Sequence, residues 1–455
     1  MHQIYDYIDA HWRDAAEDLK RLCRQPSISA QNAGMSEMVQ LLSQTMQDYG
    51  IDIRVIPNTG DGYPFIYGEV AGESPRTLLF YNHYDVQPPE PLELWTTPPF
   101  EPTEYDGNLY ARGVSDNKGD ITARMLALKA FLEVRGKLPI TVKFIIEGEE
   151  EIGSPGIASF IENNKNLLRA DACIWECGGV NWKDEPIVSL GLKGILYVQL
   201  EARGALMDLH SSMAAVVPNP AWRLVWALAS LKDMDENILL DGFYENVLPP
   251  TQQELDAIDT MPLDEEQTRK DLGLESFVKG VTGFEYKRRH TLDPTFNICG
   301  LDSGYTGPGS KTVLPCLASA KLDFRLVPDQ RPDDILAKLR KHLDSHGFSD
   351  IAISPQVEGE NPARTPLDSP FARVVAGAAR EVYGVEPVIS PSMAGSGPMY
   401  SFTDTLGLPT VLIGVMYPGS RPHAPDEHIR LTDFILGAKH IAAVMERMAT
   451  ANSKS

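Results

Sequence analysis

Basic residues are scarce in this chain. Its 455 residues carry 41 Lys and Arg against 63 Asp and Glu, a net charge of −22. That balance argues against a surface for nucleic acid or anionic membrane, because both need basic patches. Cysteine is scarce too. The five are Cys23, Cys173, Cys177, Cys299 and Cys316, odd in number and scattered, so a disulfide framework is not expected. Cys173 and Cys177 lie four apart around Glu176, but no second cysteine pair completes a thiolate zinc site, and buried free thiols are expected instead. No apolar run approaches the ~18 residues of a transmembrane helix. Residues Met1 to Asp14 are amphipathic and acidic, without the apolar core of a signal peptide, and a cytoplasmic protein is expected. There is no internal repeat and no low-complexity tract. Two further signatures are missing. In Gly304 to Thr312, Ser310 separates Gly309 from Lys311, so the adjacent Gly-Lys of a phosphate loop is absent. Gly395-Ser396-Gly397 lacks the spacing of a nucleophile elbow.

What is present is a recurrent pattern of apolar strands running into acids and histidines. Phe144-Ile145-Ile146 leads to Glu147, Glu149, Glu150 and Glu151, and three consecutive carboxylates at a strand end repel one another. Alone, such a run is more often a solvated loop face than a metal site. The pattern recurs, however. Leu78 to Asn82 is followed by His83 and Asp85, Ala172 to Trp175 by Glu176, and Val411 to Val415 by a loop holding His423. Runs of this kind fit strands buried on both faces. Helical patterns separate them, such as Asp120 to Gly136, with an acidic start and a terminal Gly. Alternating strands and helices predict an α/β domain with a mostly parallel sheet flanked by helices, and sites in such sheets form outside the carboxyl ends of the strands.

A chain of this length exceeds one core, so two or three domains are expected. Helices are predicted over about Ile8 to Arg24 and about Ser36 to Gly50. Beyond Gly191 the texture changes. Ile195 to Arg203 and Ala318 to Val327 alternate like half-exposed strands. Helices are expected at Pro220 to Lys232 and near Pro332 to His346, with a strand near Ile351 to Val357. Residues 233–290 read as polar, acidic and irregular. The predicted organisation is an α/β domain of residues 1–191 and 361–455 carrying an inserted α+β domain at 192–360.

The candidate ligands can be weighed singly. His83 and Asp85 fall on one face at a spacing of two, and a carboxylate often fixes the tautomer of a ligating His; a surface pair beside Pro88-Pro89 is an equal reading. Asp116 lies in the Gly-flanked loop Gly113-Val-Ser-Asp116-Asn-Lys-Gly119, where an Asp before a helix is often only a cap. His423 stands between Pro422 and Pro425, which stiffen its loop. His428 is its rival, and Glu427 with His428 is expected to begin the final helix.

Taken in order, His83-Tyr-Asp85, Gly113 to Gly119, Glu147-Gly-Glu-Glu-Glu-Ile-Gly-Ser154, Glu176, Leu209-His210-Ser211, Lys311-Thr-Val-Leu-Pro315 and His423 resemble the co-catalytic di-zinc exopeptidase family. That family includes aminoacylase, carboxypeptidase G, succinyl-diaminopimelate desuccinylase and cytosolic nonspecific dipeptidase. The resemblance implies a zinc-exopeptidase-like catalytic domain with an inserted lid and dimerisation domain. It implies two divalent ions, zinc first, with manganese or cobalt as substitutes. His83 and Glu176 would hold one ion, Glu151 and His423 the other, and Asp116 would bridge them. Aligned on Gly148 and Gly153-Ser154, Glu150 becomes the general base acting on a metal-bridging water, and Glu149 the variable position. Asp85 supports the catalytic centre. His210 would complete the active site of a partner subunit in a homodimer. Arg325 would hold the substrate's free carboxylate, with Thr312 and Ser396 as lesser contacts. Glu176 stands where the dipeptidase branch often has Asp. The implied activity is hydrolysis of the amide next to a free C-terminal carboxylate in dipeptides or small peptides. A deacylase or desuccinylase acting on N-acyl amino acids would share this chemistry, and a non-catalytic metal- or peptide-binding protein is the alternative from a different class.

Overall fold

The computed structural model describes residues 1–58, 60 and 62–450. Two compact units divide them. The first holds Met1–Gly191, Arg364–Ser392 and the chain from Pro398 onward; the second holds Leu192–Ala363 and the short segment Met393–Gly397.

The first unit is built on an eight-stranded sheet. Its spatial order is Asp52–Ile56, Phe65–Val70, Leu138–Glu147, Gly72–His83, Ala172–Trp175, Thr410–Leu412, Ile187–Ser189 and Val388–Ser390. The middle of this sheet is parallel. Gly72–His83 pairs in parallel with Leu138–Glu147 on one side and Ala172–Trp175 on the other, and the latter pairs in parallel with Thr410–Leu412. The apolar runs therefore lie side by side, pointing the same way, and their carboxyl ends share one edge. All four residues of Ala172–Trp175 are buried, as expected of a strand covered on both faces. Helices Gly119–Arg135 and Leu431–Thr450 pack into the same core as these strands. The first of them ends where Gly136 takes φ 76°, a left-handed cap that glycine adopts without Cβ strain.

The second unit has a four-stranded antiparallel sheet in the order Thr295–Ser303, Leu317–Leu326, Gly194–Arg203 and Ala352–Pro355. Alternation sets its core. Leu196, Val198, Leu200 and Ala202 from one strand and Ala318, Ala320, Leu322, Phe324 and Leu326 from its neighbour are buried together with Leu224, Leu228, Ile335 and Leu339 of helices Pro220–Leu231 and Pro332–Ser345. The opposite face, with Ser319, Lys321, Asp323 and Arg325, is left more open.

Three sequence expectations change. Residues 233–290 are irregular only in part: helices Gln252–Thr260 and Glu265–Asp271 lie within them and Gly283–Leu292 begins there, the first opened by a capping box between Thr251 and Glu254. The first helix starts earlier than expected, at His2. Glu427 and His428 do not begin the last helix, since His428–Arg430 is a strand paired with Asn108–Tyr110 and the helix starts at Leu431.

Candidate metal centre

The shared carboxyl edge gathers His83, Asp116, Glu150, Glu151, Glu176 and His423. His83 is the last residue of its strand, and Glu176 follows its strand directly. Glu150 and Glu151 open a single helical turn after Leu138–Glu147. Asp116 leaves the helical region (φ −127°, ψ 88°) inside the turn that precedes helix Gly119–Arg135. His423 sits at φ 61°, a left-handed backbone that costs a branched-out side chain strain and recurs at functional sites.

Asp116 is the centre of the arrangement. Its Oδ1 lies 2.9 Å from His83 Nε2 and its Oδ2 3.0 Å from His423 Nε2. His83 Nε2 is also 3.3 Å from Glu176 Oε2, and His423 Nε2 3.1 Å from Glu151 Oε2. One carboxylate thus joins two histidine–glutamate pairs. Donor atoms of His83, Glu150 and Glu176 lie within 4.8 Å of one another, as do those of His83, Asp116 and Glu151. Neither cysteine beside Glu176 belongs to these groups, and all five cysteines are free.

The site is organised from below. Asp85 is fully buried; its carboxylate accepts the backbone N–H groups of Glu150 (3.2 Å) and Glu151 (3.0 Å). His83 Nδ1 faces the Asp85 carbonyl oxygen at 3.0 Å and Oδ1 at 3.3 Å, which turns Nε2 towards Asp116. Gln87 Nε2 donates to Glu151 Oε2 at 2.8 Å. Glu149 faces away and accepts from Asn58 at 2.6 Å. Glu147 takes Tyr81 and Ser154 hydroxyls at 2.6 and 2.9 Å. His428, the rival ligand, instead turns Nδ1 to the Asp426 carbonyl and Nε2 to the Tyr417 hydroxyl.

The charges show what this pocket fits. Burial pushes the Glu150 and Glu176 carboxyls well above the ordinary range; repulsion from Glu176 adds to it at Glu150, and repulsion from Asp116, Glu147 and Glu151 at Glu176. Burial also opposes charge on Asp116, yet hydrogen bonds from His423 and His83 hold it below the usual carboxylate range. Hydrogen bonds to Asp116 and Glu151 push His423 up to about 10. Buried Glu176 Oε2 has no hydrogen-bond donor. Carboxylates in excess, two imidazoles and an oxygen left without a donor form a set suited to divalent cations of the zinc or manganese type. His83, Glu176, Asp116, Glu151 and His423 would hold them.

The remaining predicted residues lie in the second unit. His210 is exposed, and its Nδ1 sits 2.9 Å from Ser212 Oγ and accepts the Ser212 N–H, so it caps the turn that follows. Thr312 is exposed, and its carbonyl accepts the Ser211 N–H. Arg325 donates from Nη1 to Ser396 Oγ at 2.7 Å and from Nε to Asp323 at 3.3 Å. Ser396 in turn donates to the Gly194 carbonyl.

Residues 79–447 match the model of peptidase family M20/M25/M40. The chain belongs to that family. It is a metal-dependent peptidase. It is 28% identical to human Beta-Ala-His dipeptidase over 99% of this chain and 93% of that protein. It is 29% identical to the Cys-Gly metallodipeptidase DUG1 of Saccharomyces cerevisiae over 88% of this chain and 85% of that one. Among solved structures, the M20 family metallo-carboxypeptidase Sso-CP2 from Sulfolobus solfataricus superposes with a TM-score of 0.91 at 37% identity, covering 96% of this chain and 99% of the other.

Sequence reasoning passed over Glu427, which turns out to be fully buried beside the centre. A single acid between Asp426 and His428 carries no spacing signal, and its partners lie more than 300 residues away.

Proposed function

We propose that this peptidase hydrolyses dipeptides, cutting the amide next to a free C-terminal carboxylate with two divalent ions, zinc first, at the Asp116 centre. The observation that carries the reading is the Asp116 carboxylate with one oxygen towards each histidine. The names of its relatives agree with a dipeptide substrate. The ions, when bound, supply Lewis acidity towards the scissile carbonyl and the attacking water. Glu150 is the general base: it takes the proton of that water and passes it to the leaving amine. Asp85 holds both His83 and the Glu150–Glu151 backbone in place. Arg325 binds the substrate carboxylate, a task its planar guanidinium performs in two-point geometry, with Ser396 steadying it and Thr312 as a lesser contact. His210 donates to the developing oxyanion from a partner subunit of a homodimer. Residues 192–360 serve as lid and dimerisation domain to the catalytic domain of 1–191 and 361–455. We place the protein in the cytoplasm; among the described residues no helix is long and apolar enough to cross a membrane.

The test is a substrate panel. Metal-stripped protein is resupplied with zinc, manganese or cobalt and assayed on dipeptides, N-acetyl amino acids and N-succinyl amino acids. Metal-dependent turnover of dipeptides is expected. Faster turnover of the acylated amino acids would move the enzyme to the deacylases, and two bound ions without turnover of any substrate would defeat the reading.

A further inference from the structure

Glu427 lies four residues beyond His423, and its side chain makes an unusual set of bonds for a carboxylate with no exposure. Oε2 accepts from Arg112 Nη1 at 2.7 Å and from the Gly113 N–H at 2.9 Å. Oε1 accepts from the Ser115 N–H and the Ser115 hydroxyl, both at 2.9 Å, and from the Asp116 N–H at 3.1 Å. Its own carbonyl accepts the Ala111 N–H at 3.1 Å. Every residue from Ala111 to Asp116 except Val114 is therefore bound by this one glutamate.

Its charge is already balanced. Arg112, 1% exposed, pairs with it directly, and three backbone N–H groups and a hydroxyl complete its shell. Glu176 is different, with a buried oxygen that has no donor. Glu427 therefore needs no cation of its own, and its bonds are spent on shaping the chain. Pulling the N–H groups of residues 113, 115 and 116 inward curls the loop around the carboxylate. The Asp116 side chain is then left to face His83 and His423. The residues directly after it close the His423 loop: His428 N–H donates to the Ser420 carbonyl at 2.9 Å, and His428–Arg430 pairs with Asn108–Tyr110.

We propose that Glu427 is a positioning residue for the metal centre, locking the Asp116 loop to the His423 loop so that both side chains are aimed before a cation arrives. This rests on the reading of Asp116 and His423 as ligands. Groups that orient ligands from behind typically change metal affinity by about 10- to 100-fold when removed. Glu427→Gln keeps the shape but loses the charge facing Arg112 and places an amide N–H against backbone donors.

The experiment measures zinc affinity by competition with a chromogenic chelator, together with thermal melting of the metal-free protein. Glu427→Gln should bind zinc about 10- to 100-fold more weakly, with turnover recovering as zinc is raised. Ser115→Ala removes a single hydroxyl bond and should show a smaller loss in the same direction; it decides the matter if Glu427→Gln does not fold. A lowered melting temperature with unchanged zinc affinity in the folded variants would make Glu427 merely structural and overturn the proposal. If the wild-type protein itself binds no zinc, manganese or cobalt, the ligand reading fails first and takes this one with it.

Discussion

In the first unit His83, Asp85 and Glu176 are 0, 0 and 3% exposed, held by neighbours that fix their direction. In the second unit His210 and Thr312 are exposed and Arg325 is half-buried on the open face of its sheet. The two sets are prepared for different partners. Buried, mutually repelling carboxylates are costly unless paired or bound to a cation, so the first set is arranged in advance around a small charge. The second set is open to solvent, with Arg325 held by Ser396 and Asp323, and we assign it to recognition of substrate and of a second subunit.

The sharpest way to break this contrast is Glu150→Gln. Loss of a positioned general base should lower kcat by about 10²- to 10⁴-fold, with two metal ions still bound. Because Glu150 also lies within ligating distance of His83 and Glu176, metal analysis of the variant is essential: metal lost along with activity would make it a ligand and not the base. In the second unit, Arg325→Met should act on recognition. Losing a charged hydrogen bond of about 1.5–3 kcal/mol should raise KM by about 10- to 100-fold with kcat less affected. The variant should also stop discriminating a dipeptide from its C-terminal amide. A kcat effect larger than the KM effect would place Arg325 in the chemistry.

The pH dependence of the metal-free protein tests how far the first unit is poised for cations. His423 is raised from 6.5 to about 10, and Glu147 from 4.5 to about 8, the latter by burial. Both bind protons more tightly when folded, so their stabilisation is complete below the unfolded values and is lost as pH rises through the folded ones. The melting temperature should therefore fall between pH 6 and 10, and added zinc should flatten that slope. A metal-free protein that grows more stable over this range would contradict the bonding of His423 to Asp116 and Glu151 and the burial of Glu147. The smallest effect is expected at the exposed end of the comparison: Thr312→Ala should leave stability within about 0.5 kcal/mol of wild type.

Much of the first unit was legible because its central strands carry apolar runs that lead into His, Asp or Glu. Glycines flanking the acid run also separated Glu149, which the structure turns to Asn58, from Glu150 and Glu151 at the centre. What stayed hidden was long-range or weakly patterned. The helices within 233–290 carry few buried apolar residues; Gln252–Thr260 buries only Glu254 and Ile258. Its capping residues Thr251 and Glu254 were visible in the sequence, but with no apolar stripe to support them they read as loop. His428–Arg430 forms a strand only because Asn108–Tyr110 lies beside it, and no local preference could report a partner so distant in the chain. Glu427 was hidden for the same reason.

The slot in the middle of the large sheet has a consequence for how the enzyme comes into being. Thr410–Leu412 fits between Ala172–Trp175 and Ile187–Ser189, so the ribosome makes both neighbours first and the filling strand last. At about 5–20 residues per second the wait is on the order of tens of seconds. During that time His83, Asp116, Glu151 and Glu176 already exist, but the sheet is open and His423 has not been made. A nascent chain therefore lacks both the filling strand of its central sheet and one of the proposed metal ligands until its final stretch arrives.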